Sequence, residues 1–233
     1  MVVASAADIK VWTARAMTTV LAETGAEFEK TTGHKLVLET DIVANFMRRV
    51  DAGQQFDLLI GGMPGPDRPL GGDKVVAQSR TPLARSGIGV QVRAGAPKPD
   101  VSTVDAFKRT LLEAKSIGYL KVAASGVYLA GLFERLGIAA AVNAKARRPE
   151  ADIVSKMVAA GEVELGMVII TQIMTTPGVE LVGPLPEEIQ SYVWFVAGVS
   201  TNAKEPEAAM ELIRFLKTPR AAAIMKTQGM DPL

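Results

Sequence analysis

Strand-like and helix-like apolar patterns alternate along the first part of this chain with only a few residues between them, and that alternation leaves few folds open. Ile9–Trp12 is a short apolar run. Met17, Val20, Leu21 and Phe28 then recur on one helical face, which Thr31-Thr32-Gly33 closes. Lys35–Leu38 reads as a strand, and Ile42, Phe46 and Val50 have the spacing of a second amphipathic helix ending at Gly53. Phe56–Ile60 has the unbroken apolar character of a buried strand, and the Pro- and Gly-rich stretch Gly61–Gly72 reads as an irregular loop. The order β-α-β-α-β with short connections predicts a parallel, doubly wound sheet.

The scheme repeats. Ile88, Val90 and Val92 alternate as a strand, Ala94–Pro99 is a turn, and Ser102-Thr103-Val104-Asp105 resembles a capping box opening a helix through Ala114. Ile117–Leu120 reads as a strand. Ser125-Gly126 opens a helix with Leu129, Leu132, Phe133 and Leu136 inward and Gly137 as its stop. Ile153, Met157 and Val158 mark another helix ending at Gly161, followed by the strand Leu165–Ile170. Val193–Val196 is a strongly apolar strand, Pro206–Leu216 an amphipathic helix, and a last helix runs from Pro219 to about Gln228. The fold class expected is α/β, with two doubly wound lobes and no single linker. The chain then crosses between them more than once, and its C-terminal helices pack back on the first lobe.

Composition narrows the chemistry. With no cysteine among 233 residues, disulfide frameworks, thiolate metal sites and cysteine nucleophiles are excluded. The single histidine, His34, argues against histidine metal sites and Ser–His–Asp catalysis, and it reads as exposed in its Gly-His-Lys turn. Lys+Arg 26 against Asp+Glu 25 gives no global field for nucleic acid or an anionic membrane. Arg48-Arg49 and Arg147-Arg148 read as solvated faces, and Met157 and Met174 as core. No apolar run approaches the roughly 20 residues of a membrane-spanning helix. No carboxylate pair has a spacing that specifies acid–base work, and no cofactor or metal is expected. Residues Met1–Asp8 suit either a cytoplasmic chain with a frayed start or, the reading favoured here, a periplasmic protein whose signal peptide has been trimmed.

In doubly wound sheets ligands lie beyond the carboxyl ends of strands, where helix N-termini favour anions. Three such places stand out: Trp12-Thr13-Ala14-Arg15-Ala16, Thr40-Asp41-Ile42-Val43 and Ala123-Ala124-Ser125-Gly126-Val127-Tyr128. Arg15 opposes a helix dipole by about 0.3–1 kcal/mol, which an anionic ligand would offset. The alternative is an arginine extended into solvent, and Arg85 faces the same choice. Ser125 offers a hydroxyl and Gly126 a close backbone approach, although an ordinary N-cap explains both. Asp41 is either a cap or a carboxylate that recognises a donor on the ligand.

Longer phrases carry a resemblance. Phe28-Glu29-Lys30-Thr31-Thr32-Gly33-His34, Ala52-Gly53-Gln54-Gln55-Phe56-Asp57-Leu58-Leu59-Ile60, Ala160-Gly161-Glu162-Val163-Glu164-Leu165-Gly166 and Phe215-Leu216-Lys217-Thr218-Pro219 resemble the periplasmic molybdate-binding-protein family of ABC transporters, from Ile9 to Pro232. Leu83-Ala84-Arg85-Ser86-Gly87-Ile88-Gly89-Val90, Arg93-Ala94-Gly95-Ala96-Pro97-Lys98-Pro99-Asp100, Ala124-Ser125-Gly126-Val127-Tyr128-Leu129 and Pro177-Gly178-Val179-Glu180-Leu181-Val182-Gly183-Pro184-Leu185-Pro186 are similar to its aconitate-isomerase-like subgroup. The resemblance implies a type II periplasmic-binding-protein fold, with two lobes joined by crossover strands near Pro82–Ser86 and Tyr192–Ala197 and hinged around a small anion. Lobe 1 is then expected at 1–83 and 197–233, and lobe 2 at 84–196.

Departures from the family matter. Molybdate binders place neutral donors, typically serines, at the first two helix starts and a tyrosine after the late strand. This chain has Thr13-Ala14-Arg15, Asp41-Ile42-Val43-Ala44-Asn45 and Ile169-Ile170-Thr171 there, and only Ser125 keeps a hydroxyl in the expected place. A carboxylate beside an oxyanion is repulsive. The expectation is therefore a monomeric extracytoplasmic solute-binding protein that captures an organic carboxylate rather than molybdate and serves ABC transporter membrane subunits. Thr13, Arg15, Asp41, Arg85, Ser125, Gly126 and Tyr128 form the expected ligand set, and no catalytic residue is assigned. The alternative is a cofactor-independent aconitate isomerase, with Asp41 or Tyr128 as base. A ligand-sensing half of a regulator fits less well, because no DNA-binding segment accompanies it.

Overall fold

A computed structural model describes residues 6–122, 124–150 and 153–233. Most of the small-residue N-terminal stretch (1–5) and Ala123 of the third candidate motif lie outside the described residues. The chain forms two compact units, Met1–Arg85 with Val193–Leu233 and Ser86–Tyr192. The chain passes between the units after Arg85 and again before Val193.

In the first unit, β1 (Asp8–Thr13) leads through a 3-10 turn, Arg15–Met17, into α1 (Thr18–Thr32). There follow β2 (Lys35–Thr40), α2 (Val43–Asp51), β3 (Leu58–Met63) and β4 (Thr81–Arg93), which carries the chain into the second unit. Strand β1 lies parallel to both β2 and β3. Gly61 and Gly62, expected in a loop, continue β3 and pair antiparallel with Val196 and Phe195. The pattern misled because these positions carry no side chain to alternate. A Cβ at Gly61 would lie 2.5 Å from both Leu70 and Val43, so the missing side chain is what lets α2 and the following loop close over the strand. Ile42, expected on the inner face of α2, is 63% exposed, whereas Phe46 is fully buried.

The second unit continues with α3 (Val104–Glu113), β5 (Ile117–Tyr119), α4 (Ala124–Arg135), α5 (Ala139–Asn143), β6 (Ala146–Arg147), α6 (Val154–Ala159), β7 (Leu165–Ile169), α7 (Ile170–Met174) and β8 (Val179–Pro184). Strand β5 is parallel to β6 and β7, and β4 runs antiparallel to β7 and β8. The cap of α3 is Thr103, whose hydroxyl accepts from Ala106 N–H; Ser102 instead donates to Asp100, so no reciprocal box forms. Met174, expected in the core, is half exposed on the short α7. The chain returns through β9 (Tyr192–Val199) to α8 (Pro206–Leu216), α9 (Pro219–Thr227) and β10 (Asp231–Pro232) in the first unit.

Strand alternation sends side chains to two cores in the first unit. Val11, Leu58, Ile60, Phe195 and Ala197 join α1, α8 and α9 on one face, while Trp12, Leu59 and Val196 join Phe46 of α2 on the other. Each fully buried Leu, Ile or Phe contributes roughly 1.5–3 kcal/mol relative to exposure. In the second unit, Ile117, Tyr119, Leu165 and Met167 face Leu129, Leu132 and Phe133 of α4, and Leu120 and Val168 face the opposite side with Val154. His34, expected to be exposed, is buried: its Nδ1 accepts the Ala7 N–H at 3.1 Å and its ring stacks on Phe28. Arg148 is likewise not simply solvated, since its guanidinium lies 4.8 Å from the Tyr119 ring centroid. Among the described residues no helix is long and apolar enough to cross a membrane.

Candidate functional site

Register brings the first two sequence candidates together. Thr13 lies opposite Thr40 on β2 and Ile60 on β3, so β1 and β2 end level with each other beside β3, which runs on through Gly62. Two backbone bonds tie them there: Ala14 N–H donates to the Ile60 carbonyl at 2.8 Å, and Asp41 N–H to the Thr13 carbonyl at 3.2 Å. Together Ala14, Arg15, Thr40, Asp41, Ile42, Val43 and Gly62 line a cavity of about 230 Å³. The first N–H groups of α2 border it. Ile42 accepts from Asn45 and Phe46, leaving Val43 N–H ahead of the first intrahelical donors.

Arg15 is exposed, and among the described residues its guanidinium has no hydrogen-bond or ion-pair partner. Asp41 is neither a helix cap nor a free carboxylate. The cap position is Ile42, and Asp41 Oδ1 accepts from Ile42 N–H at 2.8 Å and Asn45 Nδ2 at 2.7 Å. The Ile42 N–H first, then the Asn45 amide, holds its carboxyl below the usual range; Arg48 and Arg49 add to this. Asp41 is therefore a stable anion whose charge is partly spent inside the chain.

Thr13 is enclosed. It is fully buried, its hydroxyl donates to the Ala14 carbonyl at 3.4 Å, and Ala14 and Arg15 line the cavity in its place. Arg85 is half buried, 3.5 Å from the Asp231 carboxylate and 5.6 Å from the Trp194 ring centroid. Strand pairing missing from the sequence reading, between Arg85 and Asp231 at the C-terminus, supplies that partner.

In the second unit, Ser125 and Gly126 stand in the first turn of α4, both buried. Gly126 faces its own chain rather than open space: a Cβ would lie 1.7 Å from the Leu120 carbonyl oxygen. The close backbone approach read from the sequence is thus already taken up inside the fold. The Tyr128 hydroxyl donates to the Ile189 carbonyl at 2.9 Å, with the Arg135 guanidinium 5.4 Å from its ring centroid. Thr171, just past β7, is buried, and its hydroxyl has no partner among the described residues. Thr40 and Val43 stood in the second candidate place but not in the expected ligand set, and Gly62 was missed altogether. The strand register that places them depends on partners distant in sequence, and Gly62 carried no apolar signal at all.

A family model described as "Bacterial extracellular solute-binding protein" matches residues 9–231. Aconitate isomerase of a Pseudomonas species is 33% identical over 217 residues, covering 91% of this chain and 82% of that protein. Molybdate-binding protein ModA of Azotobacter vinelandii is 27% identical over 237 residues, covering 97% of this chain and 90% of that one. Among solved structures, a substrate-binding domain from Clostridium difficile has a TM-score of 0.81 at 17% identity, covering 98% of this chain and 100% of that chain, a likeness of fold. The α/β fold of this chain is that of the periplasmic binding proteins, and the chain belongs to the bacterial extracellular solute-binding proteins.

Proposed function

We propose that this protein captures a small organic carboxylate outside the cytoplasm, in the periplasm, and presents it as a monomer to the membrane subunits of an ABC transporter. One observation carries the reading: Arg15, which has no hydrogen-bond or ion-pair partner among the described residues, stands at the cavity where β1 and β2 end beside β3. A guanidinium recognises a carboxylate through two parallel N–H···O bonds. Ser125 is the donor we assign to the second unit. Arg85 and Tyr128, already engaged with Asp231 and Ile189, contribute less. Molybdate fits poorly, because a fully deprotonated oxyanion presents charged oxygen on every side to the ionised Asp41, whereas an organic carboxylate can direct its charge to Arg15 and keep an uncharged part of its skeleton against Asp41.

Titration calorimetry with citrate, both aconitates, sulfate, molybdate and tungstate tests this. Carboxylates should bind, and Arg15→Ala should weaken them about tenfold to hundredfold, the value of a charge-assisted pair. Unchanged affinity in both Arg15→Ala and Ser125→Ala would overturn the assignment.

The 33% identity to aconitate isomerase favours a second reading, catalysis of allylic proton transfer on a tricarboxylate. Such a step needs a base poised near the working pH. Asp41 is held too acidic for that, and the Tyr128 hydroxyl is committed to a backbone carbonyl. Following trans-aconitate by absorbance distinguishes the two, since turnover above buffer would establish the enzyme.

A further inference from the structure

The geometry points to a hydroxycarboxylate as the ligand class of the first unit's cavity, with Arg15 taking the carboxylate and Asp41 accepting a hydrogen bond from the ligand's hydroxyl. This deepens the proposed carboxylate-binding function and rests on it. Two oppositely charged side chains line one cavity of about 230 Å³, and no ion pair joins them among the described residues. Ordinarily such neighbours neutralise each other. Here both stay available.

Asp41 is also only half used. Both of its bonds fall on Oδ1, from Ile42 N–H and Asn45 Nδ2, and Oδ2 has no partner among the described residues. Asn45 is itself held by Arg48, so the carboxylate is oriented rather than loose. An ionised carboxylate only accepts hydrogen bonds, so the free oxygen calls for a donor on the ligand. A simple dicarboxylate or an inorganic oxyanion supplies none and meets repulsion instead. An ammonium group would supply one, but Arg48 and Arg49 act on Asp41 and Arg15 borders the same cavity, so the local field disfavours a second cation. A neutral hydroxyl beside a carboxylate satisfies both side chains.

Matched ligands test this on the unaltered protein: malate against succinate, and citrate against tricarballylate, with aspartate as the ammonium arm. Each hydroxy acid should bind about tenfold or more tighter than its deoxy partner, because a site built around a hydroxyl leaves its acceptor unpaired when the hydroxyl is missing. Asp41→Asn should erase that preference to within about twofold and tighten succinate, since repulsion is removed. An unchanged thermal unfolding curve would show that the variant is folded, and the wild-type comparison stands without it. Equal binding of malate and succinate, through Arg15, would overturn the hydroxyl assignment while leaving the carboxylate function standing. Tighter aspartate than malate would also overturn it, in favour of an amino acid. No carboxylate binding at all would overturn both.

Discussion

The Arg49 guanidinium lies 4.5 Å from the centroid of the buried Trp12 ring. Glu39 closes the arrangement, accepting the Trp12 indole N–H at 3.2 Å on one oxygen and pairing with Arg49 through the other. Phe46 and Phe56 stack on the same indole, each with ring centroids 4.8 Å away. Three elements that position the cavity, β1, β2 and α2, are thereby joined behind it. Arg49→Ala should destabilise the protein by about 1–2 kcal/mol, the sum of a partly desolvated cation–π contact and a half-exposed ion pair. Urea unfolding checks this, and Arg49→Lys should recover only part of the loss because an ammonium has no planar face to stack.

Acid should weaken the fold through the same pair. The Arg49 hydrogen bond, and then the Trp12 indole, hold the Glu39 carboxyl below its ordinary value of 4.5, against the opposing effect of burial. A carboxyl lowered in the folded state contributes its full stabilisation above the unfolded value and loses it as pH falls through the folded one. Stability should therefore be level near neutrality and decline as pH drops below about 4.5. Glu29, tied to Lys35 and Leu36 N–H, acts in the same direction. Glu39→Gln should make the decline shallower in denaturant midpoints measured across that range.

His34→Ala should cost about 2–4 kcal/mol, because it opens a cavity beside Phe28 and leaves the Ala7 N–H unpaired. With Nδ1 accepting, the proton sits on Nε2, 3.5 Å from a Glu211 carboxylate oxygen, linking the end of α1 to α8. The effect should appear in unfolding midpoints and not in ligand affinity, since His34 lies at the end of α1 opposite Arg15.

Gly126→Ala tests the role assigned to that glycine. A Cβ 1.7 Å from the Leu120 carbonyl cannot be accommodated without moving the first turn of α4, and the expected loss is about 3 kcal/mol. Full stability of the variant would show that the helix start does not lie against the Leu120 carbonyl.

By itself the sequence determined the succession of strands and helices, their stops and their α/β class, because those follow from apolar periodicity and turn chemistry within a few residues. It also singled out Arg15 and Asp41, whose charges were unusual at strand ends. Tertiary structure decided which neighbours completed or cancelled those signals. Phe195 and Val196 turned Gly61-Gly62 into a strand, Leu120 took the space beside Gly126, and Ala7 drew His34 inside. Likewise, Thr13 was removed from the cavity and Gly62 added to it by strand register. Each of these outcomes depends on a partner from another element, and local pattern carries no record of which distant residue will supply the missing contact.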